Sequence, residues 1–390
     1  MANTNFTNIS RYPLGKVVDI LSLEVDAISK GYTNLVPVIA GSPGIGKSAT
    51  LKWLADQKNL NVLIISLGAV PYEYLSGLPD FVETEYFNEI VKAAKWSVPD
   101  IIDSINKHTE NALANGKDGL LVLLDDIHLM EPAAQKYMFE FFQNKTLQNF
   151  KIRDEAILIG AMNESGAAGF EDMYSAILDR ISLYFVDFDF DFWYKNIGID
   201  LHPSIAAFSK TNEASILGAE ATNEVTASPR SWTEFSNMLN YLENEVGLSI
   251  NDALFKDKAI IMGKGKVGTT ETTKFIEFLV TYTRFNFIDI FENKKVDYEI
   301  PDDFIDQVLH AFMVRYVTSK EDVDILIEIM FENKDKTTFF SKALDEVALL
   351  YGSIRNIKDR KKKNVIKYIK DKIKEKRDPE VLKAFNDILI

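Results

Sequence analysis

The chain has 390 residues, is 46% hydrophobic, carries a formal net charge of −14 at pH 7 and contains no cysteine. That length and apolar content suffice for a sizeable buried core and two or three compact units, and the missing cysteine removes a disulfide framework, thiolate catalysis and Cys-based zinc sites together. The acidic excess repels nucleic acid at long range, and neither the opening MANTNFTNISRYPLG nor any later apolar run approaches a signal segment or the ~18 residues of a membrane span, so a cytoplasmic setting is expected.

From Leu35 to about Phe190, short apolar runs alternate with helix-like segments, the pattern of a mostly parallel sheet covered by helices on both faces. The expected strands are Leu35 to Ala40, Val62 to Leu67, Leu120 to Leu124, Ala156 to Met162 and Ser182 to Phe188. They predict an α/β fold, an αβα sandwich on a five-stranded, mostly parallel sheet spanning 1–190. Beyond it the strand-like runs stop and helical starts take over, as at Ser228-Pro229, where a capping side chain precedes proline. Trp232, Phe235, Met238, Leu239 and Leu242 then recur at helical spacing and predict a helix with one buried face. The stretch KDKAIIMGKGKVG, with Gly263, Gly265 and Gly268, reads as a turn between helices. The expected organisation is an all-α lid over 191–285 and a helical extension over 286–390, with starts near Pro301, Ser319 and Pro379.

The strongest local signal is Gly41-Ser42-Pro43-Gly44-Ile45-Gly46-Lys47-Ser48, which fits G-x-x-x-x-G-K-[ST] between a buried-strand run and the helix-like ATLKWLADQ. Glycines let such a loop turn tightly, so that successive N–H groups face phosphate oxygens at the positive end of the following helix. The pattern predicts a P-loop NTPase core that binds ATP with Mg²⁺. Lys47 would reach the β- and γ-phosphates, and Ser48 would give its hydroxyl to the metal.

LLVLLDDIH places Asp125 and Asp126 at the end of an apolar strand, the edge where open α/β sheets bind ligands. Two such carboxylates alone are more often the start of a solvated loop; the loop upstream favours Asp125 as a metal ligand and Asp126 as the residue that activates water. GSPGIGKS, LLDDIHLMEPAAQKYMFEFF, GAMNESG, ILDRI and SPRSW follow in this order, and together they resemble an AAA+ ATPase of the MoxR-like group (a dynein-related, AAA_5-type family) from about Arg11 to Leu279. The resemblance implies that Asn163 is the sensor 1 residue, that Arg180 is an arginine finger supplied to a neighbouring subunit, and that Arg230 is sensor 2. Arg153 is a weaker candidate for an intersubunit role. A surface ion pair for Arg180 and a turn cap for Asn163 are the plainer readings of each residue taken singly.

The family usually carries glutamate where this chain has Asp126, which leaves open a nucleotide-gated binding module with little hydrolysis. Otherwise the resemblance implies a homo-oligomeric, hexameric ring in which hydrolysis moves lid against core and remodels a protein client, often one with a von Willebrand factor A domain. Between Arg355 and Arg377 basic residues dominate, while Val365, Ile366, Ile369 and Ile373 keep helical spacing. This is the one internal argument for a nucleic-acid motor or loader, although a solvated face is the commoner meaning of such a run. His108, His128, His202 and His310 form no metal-like pair.

Overall fold

The computed structural model describes residues 10–163, 175–218 and 225–283. The expected extension over 286–390, its helix starts and the basic stretch between Arg355 and Arg377 lie outside the described residues. The chain divides into two compact units, Met1–Asp189 and Phe190–Ile390.

The first unit opens with β1 (Arg11–Pro13), α1 (Leu14–Ser29), β2 (Val36–Gly41), α2 (Lys47–Gln57), β3 (Leu60–Ser66) and α3 (Tyr72–Ser76). It continues with β4 (Pro79–Tyr86), β5 (Glu89–Trp96), α4 (Asp100–Ala114), β6 (Gly119–Asp125) and α5 (Pro132–Asn144). A short pair, β7 (Thr146–Leu147) and β8 (Phe150–Lys151), precedes β9 (Ala156–Asn163), α6 (Ser175–Leu178) and β10 (Ile181–Asp187). Six of these strands form one sheet in the order β1-β10-β2-β9-β6-β3, every neighbouring pair parallel. This is the α/β P-loop NTPase fold.

Strands buried on both faces explain the continuous apolar runs. Strand alternation sends Val38, Leu120, Val122, Leu124 and Leu158 into a core with Ile102 and Ile105 of α4 and Met138, Phe141 and Phe142 of α5. Ile39, Leu121, Leu123 and Ile159, which point the other way, are equally buried beneath α1 and α2. Each such aliphatic side chain contributes ~1.5–3 kcal/mol by leaving water.

The sheet has one strand more than the five expected. β1 is three exposed residues long and pairs Arg11 with Phe185, Tyr12 with Val186 and Pro13 with Asp187. It is too short and too polar to show as an apolar run, and it is held by its ladder and by Arg11 Nη2 lying 2.7 Å from Asp187 Oδ1. The antiparallel hairpin β4–β5 is also invisible to apolar periodicity. Its connecting Phe87 and Asn88 both have positive φ, 51° and 65°, as a two-residue turn of the primed kind requires.

The second unit is helical where it is described: α7 (Phe190–Asn196), α8 (Pro203–Thr211), α9 (Pro229–Asn244), α10 (Ala253–Val267) and α11 (Thr269–Tyr282). Ser228 caps α9, accepting from Ser231 N while Ser231 Oγ accepts from Ser228 N, with Pro229 at the first helical position. Trp232, Phe235, Leu239 and Leu242 are buried as their spacing predicts. Phe208 of α8 and Phe275 of α11 pack against Trp232 with ring centroids 5.3 and 6.0 Å away.

The glycine-rich stretch corrects the sequence reading. Gly263 and Gly265 lie inside α10, and only Gly268 (φ 86°) ends it. Gly263 is helical because three helices meet there: a Cβ on it would stand 2.8 Å from Thr272 Cγ2 and 3.2 Å from Phe235 Cζ.

Candidate functional site

β2 ends at Gly41, and the chain returns as α2 at Lys47. Between them Gly44 (φ 78°) and Gly46 (φ 102°) hold left-handed backbone, which only glycine adopts without strain. The loop therefore curls over the N-terminus of α2, where unpaired N–H groups and the helix dipole favour anions. Ile45, buried in the core, fastens it from below.

Lys47 is itself buried. Its ammonium donates to Gly41 O at 2.8 Å, Ser42 O at 2.9 Å and Asn163 Oδ1 at 2.9 Å. One position on, Ser48 Oγ donates to Asp125 Oδ2 at 3.0 Å. Strand order creates these meetings between residues far apart in sequence. β9 lies between β2 and β6, with Gly41 opposite Asn163, and β3 flanks β6, with Ser66 opposite Asp125.

Asp126 leaves the sheet in left-handed backbone (φ 56°, ψ 39°), and its N–H donates to Asp125 Oδ1 at 3.0 Å. Its carboxylate lies between Asn163 Nδ2 and Ser66 Oγ, each 3.5 Å away and each at the long limit of a hydrogen bond. Short Asp and Asn tolerate this conformation better than longer side chains do.

Ser66 and His128 belong to the same cluster, and the sequence reading assigned neither. Asn163 N donates to His128 Nδ1 at 3.4 Å. Burial pushes the imidazole pKa below its usual value; Asp126 pulls it up, Lys47 presses it down and Asp125 pulls it up again. A neutral ring accepting at Nδ1 carries its proton on Nε2. The available signals were a serine closing an apolar strand and a histidine two residues after Asp126.

The donor set fits a nucleoside triphosphate with Mg²⁺. Ser48 and Asp125 offer hard oxygen atoms, few in number, as suits an ion that keeps most of its water. The curled loop and Lys47 supply the phosphate side.

The remaining sequence candidates lie elsewhere. Arg180 stands at the opposite end of the strands: its carbonyl accepts from Val36 N at 3.0 Å, at the beginning of β2. The strand from Val36 to Gly41 then separates it from the phosphate loop by roughly 16 Å at ~3.3 Å per residue. Its guanidinium is 3.7 Å from the Phe139 ring centre and donates to Gln143 Oε1 through Nε (3.0 Å) and Nη2 (2.9 Å). Arg153 lies 3.3 Å from Glu110 and 3.5 Å from Glu155. Arg230, in the second unit, is exposed in the first turn of α9.

Among solved structures, two mutant forms of Thermotoga maritima RuvB are similar at 13% identity, covering 86% of this chain and 89% of theirs, with TM-scores of 0.36 and 0.37. PCH-2 of C. elegans is similar at 12% identity over 69% of each chain, with a TM-score of 0.32. No curated protein matches the sequence. Residues 37–186 match the model of the ATPase family associated with various cellular activities (AAA); that span contains the phosphate loop, Ser66, both aspartates, His128, Asn163 and Arg180.

Proposed function

We propose that this chain is a Mg²⁺-dependent ATPase of the MoxR-like kind that works as a homo-oligomeric ring, hexameric in form, and remodels or assembles a protein client. The observation that carries the ATPase reading is the convergence of Lys47, Ser48, Asp125, Asp126 and Asn163 in one cleft. Lys47 would exchange acceptors such as Gly41 O, Ser42 O and Asn163 Oδ1 for phosphate oxygens. Ser48 and Asp125 would hold a Mg²⁺ ion, which would supply neutralisation of phosphate charge. Asp126 accepts the proton of a water whose oxygen attacks the γ-phosphorus, ADP leaving with the bridging oxygen, and Asn163 fixes that water's position.

Arg180 supports the ring: lying at the opposite end of the strands from the phosphate loop, it would serve the nucleotide of a neighbouring copy, as the resemblance implies for this residue. The same resemblance assigns Arg230 to sensing the γ-phosphate and names a von Willebrand factor A domain as the client's common module. A cytoplasmic setting accords with this reading.

The test is ATP binding and steady turnover by the full chain. Lys47→Ala should lose nucleotide binding. Asp126→Asn should keep it while turnover falls by about two to four orders of magnitude, the usual contribution of a general base. Unchanged turnover in Asp126→Asn would remove Asp126 from the chemistry, and tight binding with negligible turnover in the wild type would favour the nucleotide-gated module instead.

A further inference from the structure

β6 and β9 keep register only as far as Leu124 opposite Gly160, whereas β9 continues to Asn163. By then β6 has left the sheet: Asp126 takes left-handed backbone, and Ile127–Leu129 form one turn of 3₁₀ helix, with Leu129 N donating to Asp126 O at 2.9 Å. That turn is seated on β9. Ile127 is fully buried, and a Cβ on Gly160 would collide with Ile127 Cδ1, so the glycine lets the turn lie this close. His128 comes next in the turn, and Asn163 N donates to its Nδ1 at 3.4 Å. A backbone N–H at a strand end needs an acceptor; where the neighbouring strand has departed, a side chain provides it.

We infer that His128 is a positioning residue for Asn163, clasping the strand end that carries this amide to the turn that carries Asp126; this rests on the ATPase reading above. The Asn163 side chain is held unequally at its two ends. Its Oδ1 accepts from Lys47 Nζ at 2.9 Å, while its Nδ2 reaches Asp126 Oδ1 only at 3.5 Å, the long limit of a hydrogen bond. In the reaction proposed above Lys47 turns to phosphate, so the shorter bond is given up at the stage when the amide has to hold a water. The remaining contact is too long to fix the gap between Asn163 and Asp126 by itself. The His128 bond is made to the backbone of Asn163 and not to its amide, so it persists while the side-chain partners change. A histidine on a solvated loop would carry its ring in water; this one is half-buried, with Nδ1 turned to Asn163.

The test is ATP turnover and ATP affinity of the full chain. His128→Leu should lower kcat by about tenfold to a hundredfold, the scale on which a displacement of about 1 Å acts. Its ATP affinity should stay within about twofold of wild type, because the interaction lost is one that serves the chemical step. Asparagine, like histidine, carries an acceptor bonded directly to Cγ, so His128→Asn should recover most of the rate. Glutamine carries its acceptor one bond farther out, and His128→Gln should stay slow. In an Asn163→Ala background no amide remains to be positioned, so adding His128→Leu should cost less than about twofold more. Equal rates for His128→Asn and His128→Gln would overturn the role. So would two losses that multiply in full in the double variant, since His128 would then act through something other than Asn163, and so would weakened ATP binding with kcat unchanged. An unaltered kcat in Asn163→Ala would instead withdraw Asn163 from the chemistry, and negligible turnover in the wild type would withdraw the ATPase reading; either would take the role of His128 with it.

Discussion

Tyr184 shows how a single side chain outside the cleft ties the sheet to its helical cover. Its phenol, on β10, donates to Glu24 Oε1 of α1 at 2.8 Å, and the other Glu24 oxygen, Oε2, is buried without a hydrogen-bond partner. Burial and the Glu24 carboxylate push the phenol pKa up to about 12. Tyr184→Phe removes the donor and leaves the carboxylate half-buried with neither oxygen served, which should cost ~1–2 kcal/mol near neutral pH. The pKa is raised in the folded state, so this contribution is fully present below the unfolded phenol's value of about 10 and is lost as pH rises through about 12. Denaturant unfolding near neutrality and at about pH 11 should therefore show the two proteins converging; a constant gap would mean that the phenol makes no such bond. At this scale Gly41 to Ser48, Asp125 and Asp126 were legible because the phosphate-loop pattern and the acidic strand end are local in sequence. Ser66 and His128 were not: parallel strands bring them to Asp126 and Asn163 across 60 and 35 residues, and no local pattern records that.

Among the elements, strands buried on both faces were the easiest to read, since β2, β6 and β9 are nearly continuous apolar runs. Elements held by register alone were not. β1 survives on three ladder pairs, and β4–β5 is a largely exposed hairpin whose stability comes from its own cross-strand pairs. α10 was misread for a different reason. Glycine signals a turn when nothing else is known, but it also lets helices approach closely, and sequence alone does not distinguish the two. The two glycines inside α10 predict opposite results. Gly265 has open space around its would-be Cβ, so Gly265→Ala should raise stability by ~0.5–1 kcal/mol through helix propensity. Gly263 faces buried Thr272, whose Oγ1 is already committed to Gly268 O at 2.6 Å. Gly263→Val should therefore lower stability by ~1–3 kcal/mol through overpacking. Equal shifts in thermal unfolding for both variants would return this stretch to the status of a loop.

For the molecule as a whole, charge decides between a protein client and a nucleic acid. The chain carries −14 overall, yet twelve Lys and Arg against three Asp and Glu fall between Arg355 and Arg377. A nucleic-acid motor would need that stretch to outweigh the repulsion of the remaining chain, and such an attraction rests on phosphate neutralisation, which salt weakens steeply. The protein-remodelling reading expects single-stranded and duplex DNA to leave ATP turnover within about twofold at ~0.15 M salt. Any effect in dilute buffer should fade with a log–log slope of about −0.9 per phosphate contacted on duplex DNA. Charge reversal of Lys361, Lys362 and Lys363 should then change neither turnover nor its concentration dependence. Stimulation of about tenfold or more that persists at ~0.15 M salt, and that disappears on reversing those three lysines, would move the protein to the nucleic-acid motors while leaving the assignments of Lys47, Ser48 and Asp125 intact.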